Sequence, residues 1–178
     1  MKEIRLKDKV FELYISSEEI GKALDRMAED IRRDLGDKDP LFVCIMNGAF
    51  MFASELMQRL NEGYEVAFAR YASYQGTQST FELKEIMPVT KSLQGRTVVI
   101  LEDLIDTGYT MKTVKERFYE LGAKQVVIAA MLCKPNARQC EVETDYIGLN
   151  IANEFIVGHG LDYDDLGRMY NDIYKIKE

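Results

Sequence analysis

Three carboxylates and two hydroxyls lie close together in the middle of the chain, at Glu102, Asp103, Asp106, Thr107 and Thr110. Adjacent acids bind the vicinal hydroxyls of a sugar such as ribose, or a divalent cation. Hydroxyls and backbone N–H groups in a turn that leads into a helix bind phosphate. The spacing therefore indicates a phosphate site at the turn, with either vicinal hydroxyls or a divalent cation at the acids just upstream.

The elements around these residues predict how they are positioned. Val98 to Leu101 is apolar and mostly β-branched, which is typical of a strand buried on both faces, and a helical pattern follows the turn through Leu121. In an open α/β sheet, ligands bind outside the carboxyl ends of the strands. We therefore expect the strand to stop at Glu102. Taken singly, an acid here could simply mark the point where the chain reaches solvent, and a threonine or glycine could simply cap the next helix. The complete string favours a ligand-binding site.

Two further strands run into chemically interesting turns. Leu41 to Met46 is fully apolar and precedes Asn47-Gly48-Ala49 and a helix expected from about Phe50 to Leu60. This turn offers a second place for an anion, although a plain strand-to-helix connection has the same pattern. Gln125 to Leu132 is another buried strand, and Lys134 follows it. That lysine is either a surface residue with its stem on apolar groups or a donor to a ligand.

The remaining segments fill in the architecture. Ser16 and Glu19 form a capping box before a helix that ends near Gly36. Strands are expected from 65 to 71 and from 144 to 150. The stretch 72–94 lacks a sustained period, as functional loops often do, and 81–87 could form a hairpin arm. Arg70 is expected either to have a structural role or to contact the edge of a substrate, and the sequence does not distinguish the two. We expect no general base at His159, because no neighbour in the sequence supplies a reactive proton.

Size and charge exclude some classes of function. The 178 residues fit one domain, and the net charge of −7 argues against a nucleic-acid partner but not against a phosphorylated small molecule. Cys44 and Cys133 lie in apolar runs, so we expect reduced core thiols. The N-terminal stretch is too charged for a signal peptide and no segment is long enough to span a membrane, so we expect a cytoplasmic protein without a membrane partner.

The complete string TVVILEDLIDTGYT resembles the phosphoribosyl-pyrophosphate motif of the type I phosphoribosyltransferases, and is most similar to their hypoxanthine-guanine branch. The resemblance spans Leu41 to Arg168, with four motif regions in the family's order. It implies an α/β fold with a mostly parallel central sheet, helices on both faces and a small hood built from the chain ends. Residues 1–178 would form a single domain.

The resemblance also implies a reaction: Mg²⁺-dependent transfer of 5-phosphoribosyl from phosphoribosyl pyrophosphate to N9 of hypoxanthine or guanine, which gives IMP or GMP and pyrophosphate in purine salvage. Asp106 would be the general base at the purine N7. Family members often have a lysine where this chain has Asn47. The family also implies a homo-oligomer, a dimer or a tetramer.

The resemblance assigns the remaining site residues by group. The residues that would bind phosphoribosyl pyrophosphate are Glu102, Asp103, Asp106, Thr107, Gly108, Tyr109, Thr110, Asn47, Gly48 and Arg168. The purine would contact Lys134, Phe155, Ile156 and Asp162. The metal ligands would be Glu102, Asp103 and Asp162. A flap over the reacting centre would carry Ser73 and Tyr74.

Other functions stay open at this point. One is a related phosphoribosyltransferase for xanthine or another base, and the order of hypoxanthine and guanine is not fixed by the sequence. Another is a non-catalytic nucleotide-sensing regulator of the same fold, although such a regulator has no need of the base Asp106. A dinucleotide-binding oxidoreductase or a P-loop enzyme is disfavoured, because the chain has neither G-x-G-x-x-G nor G-x-x-x-x-G-K-[ST].

Overall fold

The fold is given by a computed structural model that describes residues 2–75 and 81–177. The strands and helices of these residues follow in chain order: β1 (Glu3–Leu6), β2 (Lys9–Ile15), α1 (Ser17–Leu35), β3 (Leu41–Met46), α2 (Phe50–Leu60), β4 (Val66–Gln75), β5 (Phe81–Met87), β6 (Thr97–Ile105), α3 (Tyr109–Glu120), β7 (Gln125–Cys133), a short 3₁₀ helix (Pro135–Ala137), β8 (Tyr146–Asn150), β9 (Ile156–Val157) and β10 (Ile173–Ile176).

The central sheet has six strands in the order β5-β4-β3-β6-β7-β8, and only β5 pairs antiparallel to its neighbour. Alternate residues of β3 and β6 face opposite sides. Phe42 and Val99 join the core under α1 and α2, whereas Val43 and Val98 join the core under α3. Helices on both faces explain why these strands are continuous apolar runs. The mostly parallel α/β sheet expected from the sequence is therefore confirmed.

Two expected boundaries are wrong. Strand β6 does not stop at Glu102 but pairs with β7 as far as Ile105 opposite Cys133. The apolar end of β7 supplies hydrogen-bonding partners and cover along this stretch, so the strand continues through its acids. Likewise, β4 does not end at Tyr71 but continues to Gln75, into the stretch expected as a loop. The hairpin arm expected at 81–87 is confirmed, because β5 covers these residues and pairs with β4.

The second sheet joins both ends of the chain in the order β1-β2-β10-β9. It has its own small core of Leu6, Phe11, Val157 and Tyr174. It is also tied to α1, since the Ser17 N–H donates to the Asp172 carboxylate at 2.8 Å. We call this sheet the hood. None of the helices in the described ranges is long and apolar enough to cross a membrane.

The start of α1 gives a first test of local stability. The Glu19 N–H donates to Ser16 Oγ at 3.3 Å and the Ser16 N–H donates to the Glu19 carboxylate at 3.0 Å, so the predicted capping box is present. We expect Ser16→Ala to lower the free energy of unfolding by about 1 kcal/mol, because it leaves a helix-end N–H without its partner. Urea denaturation measures this change. Glu19→Gln keeps a capping-box residue and should lose less; equal losses in both variants would contradict the assignment.

Candidate active site

The turn between β6 and α3 forms a small pocket at the carboxyl end of the central sheet. Its lining includes Glu102, Asp106, Thr107, Gly108 and Thr110, and its volume is about 90 Å³. A single water needs only roughly 10–15 Å³ by this measure, so the pocket has room for a larger polar group. Helix α3 begins beside it, which directs the positive end of the helix dipole toward the pocket. The pocket therefore suits an anion such as a phosphate.

Gly108 sets the shape of this turn. Its φ of +92° lies in the left-handed region that glycine adopts without strain. A Cβ there would also come within 3.2 Å of Cys140 Sγ and Val142 Cγ1. The Thr107 carbonyl accepts a hydrogen bond from the Gln139 N–H at 3.0 Å. The segment after β7 thus holds the turn from outside, and this support was not visible in the sequence motif.

Of the two adjacent acids, Glu102 lines the pocket, whereas the Asp103 carboxylate lies next to Gly48. Glu102 is only 7% exposed, and its carboxylate accepts a hydrogen bond from the Asp103 N–H at 3.1 Å. Burial, followed by the negative charge of Asp103, raises the pKa of Glu102. Burial and the same two acids raise the pKa of the Cys44 thiol to about 12. The cysteines at 44 and 133 are free and buried, as predicted for reduced core thiols.

The acidic pair fits a magnesium ion that is shared with a substrate. Two like charges side by side, one of them buried, are stabilised by a cation. Across residues 2–75 and 81–177, however, no group of three or more His, Cys, Asp or Glu side chains is placed to hold a metal ion. Mg²⁺ is commonly bound by one or two carboxylates together with substrate phosphates and water. Glu102 and Asp103 match that arrangement rather than a metal cage built by the protein alone.

A second turn reaches the acids from β3. The peptide bond between Met46 and Asn47 is cis, and Gly48 follows it before α2 begins. A Cβ on Gly48 would overlap the Asp103 carboxylate, and a Cβ on Gly160 would overlap the Gly48 carbonyl. The loops after β3 and β9 therefore meet backbone to backbone beside the acid. Only glycine leaves enough space for this contact.

Lys134 lies against Asp106 at the ends of β6 and β7. The register pairs Ile105 with Cys133, and the Lys134 N–H donates to the Ile105 carbonyl at 2.9 Å. The Lys134 ammonium is 3.3 Å from the Asp106 carboxylate, with the two side chains 8% and 47% exposed. The interpretation of Lys134 as a surface lysine is therefore wrong. Its buried ammonium faces the site, and Asp106 stays open to a ligand.

The hood supplies the remaining predicted residues. Phe155 is 49% exposed, and its ring lies 6.2 Å from that of Phe11 and edge-on to Tyr163 at 5.9 Å between centroids. Ile156 is buried in β9. Phe11 and Tyr163 were not singled out in the sequence, because their contact with Phe155 joins three separate segments.

Asp162 and Arg168, expected at the metal and the pyrophosphate, contact each other. Their N–O distance is 2.8 Å, and Arg168 also donates to the Gly160 carbonyl at 2.8 Å. Both residues therefore lie beside the Gly160 loop that contacts Gly48, and they form an ion pair with each other. The predicted flap residues Ser73 and Tyr74 lie in β4, but their side chains and residues 76–80 are outside the described part of the structure.

Comparisons with known proteins agree with this arrangement. Residues 14–164 match the model of the phosphoribosyl transferase domain. A hypoxanthine-guanine phosphoribosyltransferase of Streptococcus pneumoniae is 36% identical over 174 residues, with 97% of each chain covered. A crystal structure of a Staphylococcus aureus hypoxanthine phosphoribosyltransferase superposes with a TM-score of 0.88 at 32% identity, covering 93% of this chain and 91% of the other. The Trypanosoma cruzi hypoxanthine phosphoribosyl transferase gives a TM-score of 0.88 at 26% identity, covering 98% and 95% of the chains.

Proposed function

The chain belongs to the phosphoribosyltransferase family, and on this premise we propose that it transfers 5-phosphoribosyl from phosphoribosyl pyrophosphate to N9 of hypoxanthine or guanine, a purine-salvage reaction. The observation that carries the choice of base is the contact of 3.3 Å between Lys134 and Asp106 beside the phosphate-binding turn. In this contact one hydrogen-bond donor lies next to one hydrogen-bond acceptor, and we propose that the purine meets the sugar here.

This donor–acceptor pair matches one edge of a 6-oxopurine. O6 and N7 lie on the same edge of the ring system. Lys134 would donate to O6, and Asp106 would accept the proton that N7 carries in the free base. Adenine presents an amino group in place of O6, which would point a donor at the ammonium. A site built to hydrogen-bond a substrate group rejects an analogue that leaves its buried polar groups unpaired.

The other predicted residues would bind the remaining parts of the two substrates. The turn from Asp106 to Thr110 would hold the 5-phosphate, and Glu102 and Asp103 would hold the ribose hydroxyls directly or through a metal. The Gly48 turn and Arg168 would hold the pyrophosphate, for which the guanidinium must leave part of its contact with Asp162. Phe155 would stack on the base, while the Ile156 backbone would contact its exocyclic edge.

The proposed cofactor is Mg²⁺, which Glu102, Asp103 and Asp162 would hold. When bound, this ion supplies positive charge that stabilises the leaving pyrophosphate. The protein's own groups keep the sugar and base in line and move the N7 proton to Asp106. Bond breaking at the anomeric carbon develops oxocarbenium character, as in glycoside hydrolysis, so exclusion of water at this centre matters.

The proposed function is tested by pyrophosphate release from phosphoribosyl pyrophosphate and Mg²⁺, with hypoxanthine, guanine, xanthine, adenine and uracil supplied separately. We expect release with hypoxanthine and guanine, no release with adenine or uracil, and loss of release on adding a chelator. Release with xanthine alone would move the assignment to another base. Nucleotide binding without release from any base would indicate a regulator on an enzyme's fold.

Lys134→Leu should weaken the use of 6-oxopurines. We expect kcat/KM for hypoxanthine to fall by roughly 10- to 100-fold, the loss typical of one hydrogen bond to a charged group, and discrimination against adenine to shrink. Steady-state kinetics with both bases measures this change. Lys124→Leu, at the opposite end of β7 and exposed, is the matched control. Equal effects of the two substitutions would contradict a role for Lys134 in binding the base.

We also propose that the hood and the central sheet act as one unit and that the protein is a homo-oligomer, a dimer or a tetramer. The direct contact between the Gly48 and Gly160 loops supports the first statement. For the second, a role of the C-terminal region in the oligomeric state has been studied in the Trypanosoma cruzi relative, and here that region forms β10. Sedimentation velocity of the whole chain tests the oligomeric state.

A further inference from the structure

His159 is buried at the meeting point of the two loops. It lies between Gly158 and Gly160, and all three residues have positive φ values, of 99°, 48° and 98° in chain order. The His159 N–H donates to the Tyr170 carbonyl at 2.8 Å and the Gly160 N–H to the Arg168 carbonyl at 2.9 Å. A histidine tolerates this backbone conformation only at some cost. The surrounding contacts therefore hold the loop in one shape.

The imidazole reaches a partner on a different element. His159 is 2% exposed, and its Nε2 is 3.3 Å from Glu55 Oε1 on α2. A carboxylate only accepts hydrogen bonds, so Nε2 carries the proton and donates it. Burial is the main cause that lowers the pKa of His159, against the opposing effect of Glu55, and it favours the neutral ring. The contact is thus a hydrogen bond from the imidazole N–H to the Glu55 carboxylate.

Glu55 extends the connection into the helical layer. Its carboxylate lies 3.6 Å from Arg59 on the same helix, and Arg59 donates to Asp25 on α1 at 2.7 Å. Two hydrogen bonds and this ion pair therefore connect the hood loop through α2 to α1. Helix α2 begins directly after the Gly48 turn. The imidazole therefore fixes the distance between the loop that carries Asp162 and the helix that carries the Gly48 turn.

We propose that His159 is a positioning residue, whose hydrogen bond to Glu55 keeps the Gly48 turn and the 158–162 loop together as one pyrophosphate-binding unit. It touches no substrate and transfers no proton. The identity of the ligand, pyrophosphate, rests on the proposed function. The hydrogen bond between His159 and Glu55 is present in the protein without a ligand. On this proposal the hood contributes to the affinity for pyrophosphate as well as to binding of the base, and through different residues.

The test compares variants that remove or keep the donor. His159→Leu should weaken binding of magnesium pyrophosphate, measured by calorimetry without turnover, and raise KM for phosphoribosyl pyrophosphate by roughly tenfold or more, within the range of a lost hydrogen bond to a charged group. The kcat value should change less than about threefold. His159→Gln keeps an N–H donor and should restore most of the affinity. Equal losses in the Leu and Gln variants would overturn the proposal.

The acceptor gives an independent variant if His159→Leu does not fold. Glu55→Leu should raise the same KM, and in the double variant the two effects should overlap rather than add. Glu29→Leu, an exposed acid on α1, is the matched control and should leave KM unchanged. Full additivity, or an unchanged KM in Glu55→Leu, would show that the hydrogen bond does not position the loops.

Amide hydrogen exchange separates this inference from the proposed function. In His159→Leu, the segments 47–50 and 158–162 should exchange faster together while the unfolding midpoint changes little. If the unmodified protein releases no pyrophosphate with any base but shows this joint change, the proposed function fails and the linkage stands. If it is active and the two segments keep their exchange rates in the variant, the linkage fails and the function stands.

Discussion

Asp106→Asn is expected to lower kcat by about 10²–10⁴-fold, the usual contribution of a general base. The amide has nearly the shape of the carboxylate and keeps an oxygen that can accept from Lys134, which contacts Asp106 at 3.3 Å in the structure. It cannot, however, take a proton from N7. Substrate binding should therefore change much less than turnover, so that kcat falls while the KM values stay within a few-fold.

Steady-state kinetics with hypoxanthine at saturating phosphoribosyl pyrophosphate measures this loss. Asp37→Asn, an exposed acid after α1, serves as the control for removing one negative charge. Both variants should unfold at the temperature of the unmodified protein. Full turnover in a folded Asp106→Asn protein would remove Asp106 from the role of base, and a rise in KM alone would assign it to binding.

Gly160→Ala is expected to lower kcat/KM for phosphoribosyl pyrophosphate by roughly a hundredfold. The new methyl group would overlap the Gly48 carbonyl, a backbone atom with no side-chain rotation to relieve the contact. One of the two loops must therefore move, and a displacement of about 1 Å at a site of this kind can cost on the order of 10²-fold in rate. The phosphate turn after β6 lies apart from the contact and should keep its shape.

The φ of +98° at Gly160 adds backbone strain to the steric effect, so the control must share it. Gly95 has a φ of +72°, and a Cβ there would meet nothing within 4 Å. Gly95→Ala should therefore lose stability from strain alone and keep its kinetic constants. If Gly95→Ala and Gly160→Ala lose the same fraction of activity at matched stability, overlap with the Gly48 turn is not the cause.

Local sequence patterns predicted the elements that build the sheet. The apolar runs at Leu41–Met46 and Gln125–Leu132 and the capping box at Ser16 are patterns of residues that are close in the chain. The structure has strands and a helix start at these places. The end of β6 was placed too early, because Glu102 and Asp103 are typical of a strand end. The strand continues past these acids because β7, a separate segment of the chain, pairs with it as far as Ile105.

Some parts of the candidate site could likewise be predicted from the local sequence, and others could not. The acids and the phosphate turn form one contiguous string and could be found directly, although their roles stay predictions. The partner of His159 could not be found, because Glu55 is 104 positions away and lies on a helix whose pattern only indicates burial of its other face. The ion pair between Asp162 and Arg168 likewise depends on the return of the chain after β9.

The backbone contact between Gly48 and Gly160 limits how this site can evolve. A large and a small side chain in a core can be exchanged between two positions, because one shrinks as the other grows. Here each added side chain would meet main-chain or carboxylate atoms, of Gly48 in one case and Asp103 in the other. No replacement at one glycine creates space for a change at the other. The two positions are therefore coupled physically but should show no covariation among descendants of this sequence.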